Sequence, residues 1–248
     1  MLQILRLSAQ AGVEKVQQRV QKCERCSRLI ICENVSKRFG ETFALKDVSL
    51  SFEKSIAILG RNGAGKSTLA KILAGITKPT QGRVSVFGED PFKNVDIRRK
   101  ISIVTHNPML YKELSVEENL RFFAKLYGIK DWEWVIHELK LEGKLNSKVF
   151  ELSRGYLQRV AIAKALMLKP KLLILDEPFS SLDVEGKEIL WAKIHEFKHS
   201  IVFSTHSLNE ARFCENFAVL EKGELVYFGR DYDEALRALR TREEGSKD

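Results

Sequence analysis

The chain has 248 residues, 44% hydrophobic and 30% charged, proportions that describe a folded globule and exclude collagenous, low-complexity and disordered readings. That length holds one large α/β domain or two small ones, and no apolar run approaches the roughly 20 residues that cross a bilayer. The net charge of +8 is uneven: half of it lies in residues 1–29, where Arg6, Lys15, Arg19, Lys22, Arg25 and Arg28 outnumber Glu14 and Glu24, and the remainder is too thin to point to nucleic acid as a partner.

Residues 1–29 are expected to form a basic N-terminal extension. They lack the apolar core of about 7–15 residues and the small-residue cleavage site of a secretory signal. They read equally as a basic amphipathic helix or as a translated stretch upstream of the real start. Of the four cysteines, Cys23, Cys26 and Cys32 could supply part of a zinc site, but no histidine lies near to complete the four ligands that structural zinc takes; Cys214 stands apart. So few cysteines in so long a chain make no disulfide framework.

From residue 30 the texture changes. Ile30–Val35 reads as a strand, as does Ala44–Phe52, whose Val48, Leu50 and Phe52 share one face. Ser55–Leu59 is a short apolar run bounded by glycine, which suits a buried central strand. Gly60-Arg61-Asn62-Gly63-Ala64-Gly65-Lys66-Ser67-Thr68 follows and leads into a helix over Leu69–Leu73. Pro79 and Gly82 mark a turn, and Val84–Phe87 and Ile101–Val104 are predicted strands. Ser115 and Glu118 have capping-box spacing and open a helix that Gly128 stops. Further helices are predicted over Trp132–Leu141 and Arg154–Leu168. Strand and helix then alternate: Lys171–Leu175, Val184–Phe197, Ile201–Ser204, Leu208–Phe213, and a hairpin of Phe217–Leu220 with Leu225–Phe228 across Lys222-Gly223. The pattern is one α/β domain over 30–240, with an all-helical insertion at about 107–167 and a polar tail over 241–248.

Gly60-x-x-x-x-Gly65-Lys66-Ser67 is a complete phosphate-loop pattern between a strand and a helix. A nucleotide's phosphates need many donors at short range. Glycines let the backbone wrap closely and turn its N–H groups inward, and the following helix adds the positive end of its dipole. Lys66 brings an ammonium for the β- and γ-phosphates, and the Ser67 hydroxyl suits Mg²⁺, an oxygen-seeking ion. Downstream, the apolar run Leu172–Leu175 ends in Asp176-Glu177-Pro178. If that strand lies parallel to the one before the phosphate loop, both end on the same sheet edge. Asp176 then stands beside the metal, through a water, and Glu177 beside the water that attacks the γ-phosphate, where a carboxylate can accept its proton.

Leu152-Ser153-Arg154-Gly155-Tyr156, the helix that follows through Leu166, Ser180-Ser181-Leu182-Asp183, His206 after Ile201–Thr205, and Phe39 before Gly40 all stand in the order found in ABC transporter ATP-binding subunits, which the chain resembles over about residues 30–230. The resemblance implies a P-loop NTPase core of ABC ATPase type, with an antiparallel β subdomain and an inserted helical subdomain. It implies that Phe39 stacks on the adenine, that Ser153 and Gly155 receive the γ-phosphate held by a second ATPase subunit, that Asp183 lies in the loop at that interface, and that His206 is the switch histidine. It further implies ATP as substrate, closure of a homo- or heterodimer, separate transmembrane permease subunits, and a peripheral position on the cytoplasmic face of the inner membrane.

Three departures stand out. Arg154 replaces the usual glycine, Tyr156 replaces a common glutamine, and His106 stands where the family usually has glutamine. An imidazole nitrogen suits Mg²⁺ poorly, which argues against direct ligation by His106 and for action through water or as a sensor of the loop. It also predicts a pH-sensitive activity. Thr105-His106-Asn107-Pro108, Tyr111–Ser115 and Ser153-Arg154-Gly155 are similar to exporter ATPases, among them the haem-export type of cytochrome c biogenesis. A soluble ABC ATPase of iron–sulfur cluster assembly is the alternative. The two part at the surface over 106–115, where Met109, Leu110 and Tyr111 are expected to be exposed to a partner helix.

Overall fold

The computed structural model describes residues 29–244. Strand β1 (Ile30–Phe39) turns back through Gly40 into β2 (Thr42–Phe52), and β4 (Gln81–Val86) pairs on the other side of β1, making an antiparallel sheet ordered β2-β1-β4. The second sheet contains β3 (Ser55–Leu59), β5 (Ile101–Val104), β6 (Leu172–Asp176), β7 (Ser200–Thr205), β8 (Asn216–Glu221) and β9 (Glu224–Gly229), in the order β5-β6-β7-β3-β8-β9. Every neighbouring pair in it is parallel except β8 with β9. The helices are α1 (Lys66–Leu73), α2 (Val95–Arg98), α3 (Val116–Tyr127), α4 (Trp134–Glu138), α5 (Arg154–Met167), α6 (Val184–Glu196) and α7 (Tyr232–Glu244).

The parallel strands read as unbroken apolar runs because both of their faces are buried. Alternate residues serve two cores. Ala57, Leu59, Leu173, Leu175, Ile201 and Phe203 join the core built with α3, α5 and α6. Ile56, Ile58, Leu172, Ile174 and Val202 join the other, under α1 and the antiparallel sheet, where Val48, Leu50 and Phe52 of β2 also lie. The same alternation sends Asp176 and Ser204, one step past Leu175 and Phe203, to the α1 side, and the two are register partners across β6 and β7.

Several elements differ from their sequence-based bounds. β1 continues to Phe39, whereas α1 begins at Lys66, as the dipole argument for the phosphate loop requires. The helix expected over Trp132–Leu141 is regular only over α4; Lys140 takes a left-handed φ of 50° and ends it, although Trp132, Val135 and Leu139 keep their helical-period burial. Leu208–Ala211 is a 3-10 turn, tighter than the expected helix. α2, capped by the Asn94 side chain on the N–H groups of Asp96 and Ile97, was not foreseen. α7 runs through Glu244, and its Ala235, Leu236 and Leu239 pack on the first core, a period readable in the sequence. The N-terminal extension with Cys23 and Cys26 lies outside the described residues up to position 28. Cys32 is buried in the second core, where desolvation pushes its thiol up to about 12, the opposite of what a metal-binding thiolate requires. Among the described residues no helix is long and apolar enough to cross a membrane.

Candidate functional site

The phosphate loop is shaped by glycines in conformations closed to other side chains. Gly60, Gly63 and Gly65 have φ of 151°, 82° and 106°. A Cβ on Gly60 would lie 2.4 Å from the Leu220 carbonyl oxygen, and one on Gly65 2.6 Å from that of Ala44. Gly65 is also the N-cap of α1 and brings no side-chain acceptor to the helix end, so the first N–H groups of α1 stay available to an anion. Arg61, Asn62 and Gly63 are exposed along the loop, with Ser67 exposed and Thr68 half-buried in the first turn of α1, while Ala64 is buried beneath.

Lys66 is only 4% exposed. Its ammonium donates to the carbonyl oxygens of Gly60 at 2.7 Å and Arg61 at 3.1 Å, and lies 3.0 Å from Glu177 Oε1. The parallel register brings these groups together: Leu59 pairs with Thr205 and Asp176 with Ser204, so β3, β6 and β7 end within a residue of each other. Glu177 leaves β6 with a left-handed φ of 48°, held by its N–H donating to the Ser204 carbonyl at 3.0 Å and hydroxyl at 3.1 Å. For a residue with a side chain this backbone costs about 1–2 kcal/mol, and it is what aims the carboxylate at Lys66. Asp176 is buried and accepts a hydrogen bond from the Ser204 hydroxyl. His206 follows β7 exposed, its Nδ1 3.9 Å from Glu177 Oε2, too far for a direct hydrogen bond and near enough for charge to be felt. Sequence reasoning passed over Ser204. Its position at the end of an apolar strand, level with Asp176, would have marked it.

The remaining expected residues sit elsewhere. Ser153 caps α5 by accepting from the Tyr156 N–H, and Gly155 packs so closely on the loop before α6 that a Cβ there would come 3.3 Å from the Ser181 oxygen. Among the described residues no hydrogen bond or ion pair joins Ser153 or Gly155 to the phosphate loop of their own chain. Asp183 caps α6 by accepting from the Gly186 N–H at 2.8 Å, and pairs with Arg159 at 2.8 Å. The Arg159 guanidinium, and then the Gly186 N–H, hold the Asp183 carboxyl below its usual range. Arg159 itself is buried, also reaches Glu185 at 3.0 Å, and so ties α5 to the start of α6. Phe39 is exposed at the tip of the β1–β2 hairpin, under the Lys37 ammonium. His106 is exposed just beyond β5 and makes no hydrogen bond to a described residue. Beyond it, Met109 and Tyr111 are exposed and Leu110 half-buried against the first core.

For a metal ion, the Ser67 hydroxyl in the first turn of α1 and the Asp176 carboxylate at the end of β6 are both oxygen donors, a chemistry that fits Mg²⁺. The His106 side chain offers no oxygen.

The ABC transporter family profile matches residues 45–180. The chain is 37% identical over 213 residues to the probable sulfate/thiosulfate import ATP-binding protein CysA of Chlorella vulgaris, covering 81% of this chain and 90% of that protein. It is 35% identical over 211 residues to the Nod factor export ATP-binding protein I of Rhizobium johnstonii, covering 80% of this chain and 68% of that protein. Among solved structures it is similar to a dimeric post-hydrolysis state of an ATP-binding cassette bound to ADP and Pi, with a TM-score of 0.72 and 30% identity, covering 81% of this chain and 98% of that one.

Proposed function

This chain belongs to the ABC transporter family as an ATP-binding, ATP-hydrolysing subunit, and on that premise we propose how its residues divide the work. Gly60–Thr68 cradles the phosphates, Lys66 neutralises the β- and γ-groups, and Phe39 receives the adenine ring. Ser67 and Asp176, the latter through water, are the residues that would hold Mg²⁺, which supplies positive charge to the phosphate oxygens. Glu177 accepts a proton from the attacking water as the new P–O bond forms and the bond to the β-phosphate oxygen breaks, leaving ADP and phosphate. His206 steadies that carboxylate and senses the γ-phosphate. Ser153, Gly155 and Asp183 act on the nucleotide of a second subunit, so that ATP joins two copies and hydrolysis releases them.

The observation that carries this reading is the 3.0 Å approach of Glu177 to Lys66, an acid and a phosphate-binding ammonium 111 positions apart in sequence. The test is Glu177→Gln. It should bind ATP, lower kcat by at least about a hundredfold and accumulate an ATP-dependent dimer on size exclusion. Hydrolysis at the wild-type rate would sink the assignment of the base.

The work is done, in this proposal, at the cytoplasmic face of the inner membrane, with the subunit peripheral and its 106–115 surface against a transmembrane permease. The exposed Met109 and Tyr111 support that docking face over the soluble iron–sulfur assembly reading. The proposed direction is export, with haem as the cargo class. What supports it is the sequence of the 105–115 loop and of Ser153-Arg154-Gly155 alone, since the relatives named above handle sulfate and a Nod factor and share no cargo. Co-purification of the tagged chain from membranes with a multi-span protein, and stimulation of its ATPase by haem in that complex, test both parts.

A further inference from the structure

Lys164 is a cation in the wrong place for a solvated surface. It lies on α5, is 9% exposed, and forms no ion pair with any described residue. Its ammonium is satisfied instead by two backbone carbonyls, donating to Pro108 at 2.8 Å and Met109 at 3.1 Å, and by the face of the Phe123 ring, 4.9 Å away. Burial without an anion pushes its pKa down to about 8. A methionine would fill the same space without that desolvation, so packing alone does not account for an amine here.

What the amine does is hold a loop. The segment from Thr105 to Leu114 leaves β5 beside Asp176 and enters α3. Lys164 fastens its middle at 108–109, where Met109 has a left-handed φ of 49° and needs its neighbours held. Asn119, fully buried, fastens the rest by accepting from the Tyr111 N–H and donating to the carbonyls of Tyr111, Leu114 and Ser115. The two anchors differ. Asn119 joins the loop to the helix that follows it. Lys164 joins it to α5, whose other end, about 15 Å away along the helix axis, carries Ser153 and Gly155.

We propose that Lys164 is a positioning residue for hydrolysis: it couples the loop carrying His106 to the signature end of α5, so that a displacement of one is delivered to the other through a rigid helix. This rests on the reading above that Ser153 and Gly155 meet the nucleotide of a second subunit. Lys164 touches no nucleotide group and acts only through the loop and α5.

The test compares Lys164→Met and Lys164→Arg with the wild type in ATP turnover and in amide hydrogen exchange. The Met variant should keep the KM for ATP within about twofold and lose about tenfold in kcat, the scale of a coupling residue remote from the ligand. Exchange should speed up over 106–110 and over the first turn of α5 together, and Arg, which can donate to both carbonyls, should restore both readouts. If Lys164→Met is not folded by circular dichroism, Lys164→Gln, which keeps an amide donor but no charge, replaces it and should lie between Met and wild type. Wild-type kcat in the Met or Gln variant, or loosening confined to the loop with α5 unchanged, overturns the proposal. A Glu177→Gln variant that binds ATP and yet forms no ATP-dependent dimer would overturn the underlying reading instead.

Discussion

At the scale of single residues, the site is governed by atoms that leave no room. Gly65 is the clearest case. Its φ of 106° and the 2.6 and 2.7 Å approaches a Cβ would make to Ala44 and Leu45 predict that Gly65→Ala moves the β2 backbone or the loop. We expect a loss of about 1–3 kcal/mol in urea unfolding together with weakened ATP binding; unchanged affinity by calorimetry would mean that the loop tolerates the shift. Buried thiols follow the same logic of desolvation. Cys32 and Cys214 are both pushed up by burial, so neither should be alkylated by iodoacetamide in the native protein at pH 8, and both should react after denaturation, as peptide mapping would show. Lys164 provides a pH signature. Its folded value, about 8, lies below the ordinary 10.5, so between the two the unfolded chain binds more protons and this group makes stability rise with pH. Wild-type unfolding free energy minus that of Lys164→Met should therefore climb across that window; a flat difference would show that the ammonium is not desolvated.

At the scale of elements, capping and pinning set the loops that lead into α3 and α6. Ser115 and Glu118 complete a reciprocal capping box on α3, with Ser115 N–H donating to Glu118 at 2.7 Å, and the same hydrogen bonds hold the Glu118 carboxyl below its usual range. Ser115→Ala should cost about 1 kcal/mol. Asn119→Ala should cost more, about 2–3 kcal/mol, because it removes a fully buried side chain that bonds the part-buried backbone of Tyr111, Leu114 and Ser115. Thermal melts that rank the two the other way would show that the 111–115 segment refolds onto solvent. Between α4 and α6 the largely buried Lys193 ammonium pairs with Glu138 and with the exposed Glu196. The buried Arg159 is different, since it joins α5 to both Asp183 and Glu185 and sets how the α6 N-terminus meets the signature end.

At the scale of the whole molecule, one sheet separates two cores and its strand ends carry the chemistry. Phe203, fully buried, packs edge-on or tilted against Phe179 and Phe213 in the core shared with α6, one residue from Ser204 and three from His206. Phe203→Ala should cost about 3–5 kcal/mol and lower kcat as well, because β7 positions both Ser204 and His206. Substitution of Ile56, on the opposite face, should reach stability through the core under α1. If hydrolysis by Phe203→Ala were normal below its melting temperature, the sheet edge would be less rigid than the register implies. The pH profile of His106→Gln belongs at this scale too, since the residue is exposed just beyond the end of β5. ATPase rate against pH should differ between the wild type and the variant, and superimposable profiles would dismiss the expectation of a pH-sensitive activity.

The sequence by itself determined the phosphate loop, the acidic strand end, the capping box of α3 and the parallel-strand core, because each is written in residues adjacent along the chain and governed by local chemistry: glycine conformations, a hydroxyl three residues before a carboxylate, runs too apolar for an open face. The tertiary structure alone decided that Lys66 meets Glu177, that Ser204 braces Asp176, that Asp183 is held by Arg159, and that Lys164 is spent on two carbonyls. Those contacts join positions from 24 to 111 residues apart, so they depend on which strands become neighbours and in what register, and no local pattern carries that information.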